Sequence, residues 1–207
     1  MLWSVLLIII SLAVYAGLHS LTAASGVKAW ARRVFGPASD RWYRLVYNIV
    51  AVVTFLPILL LMALLPDRLL YLVPSPWRWL MVAGQVLALG GLTAAVAQTN
   101  AWHFLGLAQL LDPQPAQTGR LVVSGLYRWV RHPIYFFSLL FLWLSPVMTL
   151  NQLTLYVMVT LYFYVGSIFE ERRLEAEFGE AYRRYRQYTP RLFPLPGRSF
   201  PAGKEAE

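Results

Sequence analysis

Ser124-Gly-Leu-Tyr-Arg-Trp-Val-Arg-His-Pro-Ile-Tyr135 runs a polar loop with two arginines and a histidine into an apolar stretch. Proline suits the first turn of a helix, where a backbone N–H would have no partner in any case, so Pro133 predicts a helix whose mouth holds Arg131 and His132. The free first-turn amides and the positive end of the helix dipole then face the same place as both side chains. That combination reads as a site for a polar molecule carrying a carboxylate.

Outward from this stretch the chain is a membrane sequence. Of its 207 residues 58% are hydrophobic and 14% charged, and the charges are bunched between long uncharged runs. The formal charge of +8 raises nucleic acid as a partner, but the cations flank apolar spans, where lysine and arginine set topology. Nucleic-acid binding is set aside on that ground. With no cysteine, disulfides, thiolate metal sites and a cysteine nucleophile are excluded.

Leu2 to Leu18 is the first apolar run, long enough at about 1.5 Å per residue to span a bilayer core. Ala23-Ala24-Ser25 resembles a signal cleavage site, but no lysine or arginine precedes Lys28, so a retained helix is expected. A basic segment, Lys28 to Arg44, reads as a surface loop with some helix. Further spans are expected over about Leu45 to Leu65 and about Trp79 to Ala97, the latter with Gly84, Gly90 and Gly91 as ordinary helix-packing residues. Leu111-Asp-Pro-Gln-Pro-Ala-Gln-Thr-Gly119 is loop by composition. Ile134 to Ser145 and Leu153 to Phe169, separated by a Thr149 to Gln152 turn, read as a tight hairpin of two short spans. Glu170 to Tyr188 then alternates charges with Leu174, Phe178, Tyr182 and Tyr185 at helical spacing, an amphipathic helix for the membrane surface.

The chain is thus expected to be an all-α polytopic membrane protein with about five transmembrane helices and a cytoplasmic C-terminal amphipathic helix. A single domain is anticipated: a three-helix part over residues 1–97, a ligand-binding part over 98–194 and a loose tail over 195–207. Of the 18 lysines and arginines, only Arg68 and Arg78 fall in the second loop. The positive-inside bias therefore puts the first loop, third loop and tail in the cytoplasm and the N-terminus outside. His19, His103 and His132 then share the cytoplasmic boundary, but none has an i, i+3 or i, i+4 partner, so no metal is expected. Glu170-Glu171 ends the last span on the same face, and carboxylates there need solvent or partners.

Ser124 to Tyr135, followed by Glu170-Glu171-Arg-Arg-Leu-Glu-Ala-Glu-Phe-Gly-Glu-Ala-Tyr-Arg-Arg-Tyr185 and Pro190, resembles the isoprenylcysteine carboxyl methyltransferase and phospholipid methyltransferase superfamily. Leu18-His-Ser-Leu-Thr-Ala23, Arg44, Tyr47-Asn48 and Trp102-His-Phe-Leu-Gly-Leu-Ala-Gln109 are similar to its bacterial branch of methanethiol S-methyltransferases and denitrification-associated membrane proteins. The resemblance implies a bacterial inner-membrane enzyme using S-adenosylmethionine on a small or lipophilic acceptor. It places Gly125, Tyr127, His132, Pro133, Tyr135, Glu170, Tyr182 and Tyr185 at the cofactor, and Arg131 and Glu171 at the chemistry. Glu170 is suited to the donor's ammonium, Arg131 or His132 to its carboxylate, Tyr135 or Tyr182 to its adenine or sulfonium, and Glu171 to orienting or deprotonating the acceptor. Many relatives carry an arginine shortly before the glutamate pair and Gly166-Ser-Ile-Phe169 has none, which favours a thiol acceptor over a prenylcysteine carboxylate or a phospholipid. A membrane NADPH reductase and a non-catalytic accessory protein are the competing classes.

Overall fold

A bilayer offers no partner to a free peptide group, so long apolar runs close their hydrogen bonds internally as helices. The computed structural model, which describes residues 1–99, 101–111 and 121–201, is 75% helical. Its elements are α1 (Leu2–Ala23), α2 (Ser25–Phe35), α3 (Ser39–Leu64), β1 (Leu69–Leu72), α4 (Trp77–Gln98), α5 (Ala101–Leu105), α6 (Ala108–Leu111), a 3₁₀ turn (Gly125–Arg128), α7 (Pro133–Trp143), β2 (Val147–Thr149), α8 (Leu150–Phe178) and α9 (Glu180–Tyr188). Among the described residues four helices, α1, α3, α4 and α8, are long and apolar enough to cross a membrane. At 11 residues α7 is shorter.

Several boundaries differ from the sequence reading. The basic segment expected as loop is largely helical, in α2 and the start of α3. The expected turn at Thr149 to Gln152 is the start of a helix: Gln152 donates its N–H to Thr149 Oγ1 and accepts the Thr149 N–H on Oε1, a reciprocal cap that begins α8 at Leu150. The amphipathic helix does not begin at Glu170. Apolar span and charged segment are one helix to Phe178, because nothing between them interrupts the backbone ladder until Gly179, whose φ is 55°. A small sheet, β1 with β2, joins the otherwise helical chain. The expected loop at 112–119 and the end of the tail at 202–207 lie outside the described residues.

The chain divides into two compact units. The first unit holds Met1–Leu70, the described residues 101–111 and Met148–Met158. In it α1 packs on α3, with Tyr47 Oη 2.6 Å from His19 Nε2 and the Tyr43 hydroxyl donating to the Thr22 carbonyl at 2.6 Å. Asp67 accepts the Asn151 N–H at 3.0 Å, placing an anion at the positive end of α8.

The second unit holds Tyr71–Thr99, the described residues 121–147 and Val159 onward. α4 belongs here rather than with the N-terminal helices, because it packs along α7. Two of its glycines make that possible: a Cβ on Gly84 would stand 2.7 Å from Leu144 Cδ1, and one on Gly91 would enter the Phe137 ring, whereas Gly90 faces open space. The tail, expected loose from residue 195, is seated as far as Phe200, which is 1% exposed among Val123, Tyr182 and Tyr185. Arg128 holds it there, accepting the Phe200 N–H at 2.9 Å and donating from Nε to its carbonyl at 2.6 Å.

Candidate active site

The loop that enters α7 is shaped first by Gly125, whose φ is 60° and whose place admits no side chain: a Cβ would lie 2.5 Å from the Gln98 amide oxygen. That oxygen accepts the Leu126 N–H at 2.9 Å, so the loop is pinned to the end of α4. Further along, Arg131 and His132 donate their backbone N–H groups to the carbonyls of Pro190 and Arg191 at 2.9 and 3.1 Å. The segment after α9 is thereby tied to the mouth of α7, where Pro133 takes the first helical position.

Glu171 stands at the centre and is only 3% exposed. Its Oε1 accepts from Arg131 (Nε at 2.9 Å, Nη2 at 2.8 Å) and from Arg191 Nε at 3.1 Å, and lies 3.3 Å from His132 Nε2. Its Oε2 accepts from Arg191 Nη2 at 3.0 Å. Arg131 also donates through Nη1 to the carbonyls of Arg186 and Thr189 at 3.0 and 2.8 Å. A carboxylate bound on both oxygens by charged donors is a poor proton acceptor. Glu171, expected to orient or deprotonate the acceptor, ties α8, α7 and the segment after α9 together. Arg131, bonded through Nε and both Nη atoms, is part of the same tie and has little capacity left for a ligand.

Glu170, one residue earlier, is placed differently. Its Oε2 accepts the Tyr135 hydroxyl at 2.9 Å and lies 3.5 Å from His132 Nδ1, while Oε1 has no hydrogen bond among the described residues and the side chain is 35% exposed. His132 stacks on Tyr135 at 5.2 Å, and Tyr135 on Phe163 at 4.6 Å, giving a wall of three parallel rings beside the open carboxylate. Burial alone would lower the His132 pKa; hydrogen bonding and charge from Glu170 and Glu171 outweigh it and hold the pKa above the ordinary histidine value. Burial, then the charge of Glu170, pushes the Tyr127 phenol well above its usual range, so it stays a neutral donor.

Tyr182 and Tyr185, expected on an amphipathic helix at the membrane surface, are buried at 1% and 2% exposure. Tyr185 donates to the Tyr127 carbonyl and packs edge-on against Phe200, a supporting contact for the loop. The Tyr182 hydroxyl is buried with no partner among the described residues, and its pKa is raised by burial and by the charge of Glu171. Glu170 Oε1 is thus an unpaired and half-open polar atom suited to a ligand's ammonium, whereas the Tyr182 hydroxyl is unpaired but closed off from the surface. The structure thus gathers Arg131, His132, Pro133, Tyr135, Glu170, Glu171 and Tyr182, and gives Gly125, Tyr127 and Tyr185 supporting places behind them. His19 belongs to the first unit, and the side chain of His103 lies outside the described residues.

Arg191 and Tyr164 were missed by sequence reasoning. They line, with Arg131, Leu192 and Phe193, a depression of about 340 Å³. The available signal was the Pro190-Arg191 step directly after the charged helix, together with a glutamate pair lacking an arginine before it.

Residues 28–189 match a family described as a protein of unknown function, DUF1295. The chain is 31% identical to a methanethiol S-methyltransferase of Mycobacterium tuberculosis, over 92% of this chain and 78% of that protein. It is 30% identical to one from Pseudomonas deceptionensis, over 90% and 71%, and 29% identical to one from Bradyrhizobium diazoefficiens, over 92% and 67%. No solved structure matches it. The chain therefore belongs to the DUF1295 family and stands among relatives that are methyltransferases.

Proposed function

We propose that this chain is an integral membrane methyltransferase that uses S-adenosylmethionine and methylates a small or lipophilic thiol. The observation that carries the reading is the cluster itself: a half-open carboxylate, Glu170, beside a wall of stacked rings, held in place by a fully paired Glu171. The named relatives support the same chemistry, and methanethiol is the acceptor their names print. When bound, S-adenosylmethionine supplies an electrophilic methyl group on a sulfonium. Glu170 Oε1 would hold the donor's ammonium, and the first-turn amides of α7 with the positive end of its dipole would suit its carboxylate. Tyr135, its ring stacked with His132 and Phe163, would act by orienting Glu170 through its hydroxyl. In-line displacement needs no covalent intermediate, so the protein's contribution is to align donor and acceptor and keep water out.

The site belongs to the cytoplasmic side of a five-pass inner-membrane protein with its N-terminus outside. Support for a fifth pass comes from the antiparallel pairing of α4 and α7. Leu126 meets Gln98 at one end, Phe141 accepts from Gln85 further along, and Val73 donates to the Pro146 carbonyl at the other end. The chain from Leu126 to Pro146 therefore travels the length of α4 although α7 has only 11 residues.

Methyl transfer from labelled S-adenosylmethionine to methanethiol, longer alkyl thiols, a prenylcysteine analogue and phosphatidylethanolamine tests the reading, with binding of S-adenosylhomocysteine and NADPH measured alongside. Turnover of a thiol is expected. Turnover confined to the prenylcysteine or the phospholipid refutes the thiol assignment, binding of NADPH alone points to a reductase, and neither turnover nor binding leaves an accessory protein.

A further inference from the structure

Arg131 and Arg191 share one carboxylate and are not equivalent. Arg131 is bonded through Nε, Nη1 and Nη2, and its side chain is 8% exposed. Arg191 grips Glu171 with Nε and Nη2, which fixes the plane of its guanidinium, and leaves Nη1 without a partner among the described residues. Its side chain is 31% exposed on the wall of the 340 Å³ depression, with the Tyr164 ring 5.8 Å beneath it. Glu171 is divided between two guanidinium groups and the neighbouring Glu170 is turned to Tyr135 and His132, so the charge of Arg191 is only partly offset where it meets this wall. Tyr164, Leu192 and Phe193, which share the lining, are a poor surrounding for the zwitterionic head of the donor, which needs several polar partners, and a good one for an organic sulfur compound.

We propose that Arg191 is the cation that receives the acceptor's sulfur as its thiolate, with Tyr164, Leu192 and Phe193 taking the organic group. The assignment deepens the thiol-methyltransferase reading and rests on it. The S–H proton leaves to water. A thiolate lone pair then forms the new S–CH3 bond as the methyl's bond to the donor sulfonium breaks, so the donor ends as a neutral thioether and one proton is released per turnover. Nη1 favours the thiolate over the thiol and aims it, and the thiolate is the form that reacts.

The test is the pH profile of kcat for methylation of an alkyl thiol, which reports ionisation within the enzyme–substrate complex. In the wild-type protein the rising limb is expected at least one pH unit below the free thiol's own pKa. Arg191→Gln moves that limb up by about one to two units, lowers the rate at pH 7 by about 10- to 100-fold and recovers toward wild type at high pH, as the thiolate fraction dictates. Arg191→Lys retains most of the shift, and S-adenosylhomocysteine affinity changes less than about threefold in both. A wild-type limb at the free thiol's pKa overturns the proposal without recourse to any variant. So does a fall that is uniform in pH, which marks a purely structural role, or a loss of S-adenosylhomocysteine binding, which assigns Arg191 to the donor. Absence of thiol turnover by the wild type overturns the proposed function itself and this inference with it, whereas turnover with an unaffected Arg191→Gln overturns the inference alone.

Discussion

Exchange of either adjacent glutamate for glutamine separates a tie from a ligand-binding group. Glu171→Gln removes the charge that Arg131 and Arg191 share and puts an amide NH₂ against one of them, at a site where the glutamate is 3% exposed. Breaking a buried, hydrogen-bonded ion pair from one side costs about 3–5 kcal/mol, on the order of 10 °C in Tm for a chain of this size. Glu170→Gln keeps an acceptor for the Tyr135 hydroxyl and has a side chain already 35% exposed, so its cost in stability is below about 1 kcal/mol. On the proposed function it also deletes the charge that would meet the donor's ammonium, a charge-assisted bond of about 1.5–3 kcal/mol, and S-adenosylhomocysteine affinity is expected to fall about 10- to 150-fold. Thermal unfolding in detergent and calorimetric titration with S-adenosylhomocysteine measure the two effects on the same preparations. The reasoning fails if Glu171→Gln melts with the wild type, or if Glu170→Gln binds as tightly as wild type.

Three other expectations follow from the same geometry. The folded-state pKa of His132 lies above its unfolded value, so its contribution to stability is full below about pH 6.5 and is lost as pH rises through the folded value; the Tm gap between wild type and His132→Gln should narrow from pH 6 to pH 9. Gly91→Ala drives a methyl into the Phe137 ring and should lower stability by about 1–3 kcal/mol, whereas Gly90→Ala, facing open space, is neutral within about 0.5 kcal/mol, a contrast readable by thermal unfolding. For the five-pass topology, a cysteine at Asp40 should be shielded from an impermeant thiol reagent in intact cells and one at Ser75 labelled; both positions are exposed, and the chain has no cysteine of its own.

Local composition determined a good deal of this protein. Four long apolar runs had to become helices because unpaired peptide groups are untenable in a bilayer, and Pro133 had to open a helix because it lacks an N–H. The gathering of Arg131, His132 and Glu170-Glu171 was also readable, since polar groups at the ends of apolar spans must find partners. What each of them does was not, because roles at this site are decided by how many donors and acceptors are already taken. Glu170 and Glu171 are neighbours in sequence, yet helical geometry turns one toward Tyr135 and half-open space and the other into the grip of two arginines. Arg191 is ordinary in the sequence and matters only because the backbone after α9 pairs with residues 131 and 132 and brings it to Glu171. The tail misled for the same reason: prolines mark an irregular backbone, while the burial of Phe200 depends on Val123, Tyr182 and Tyr185, and only the tertiary fold brings those side chains together.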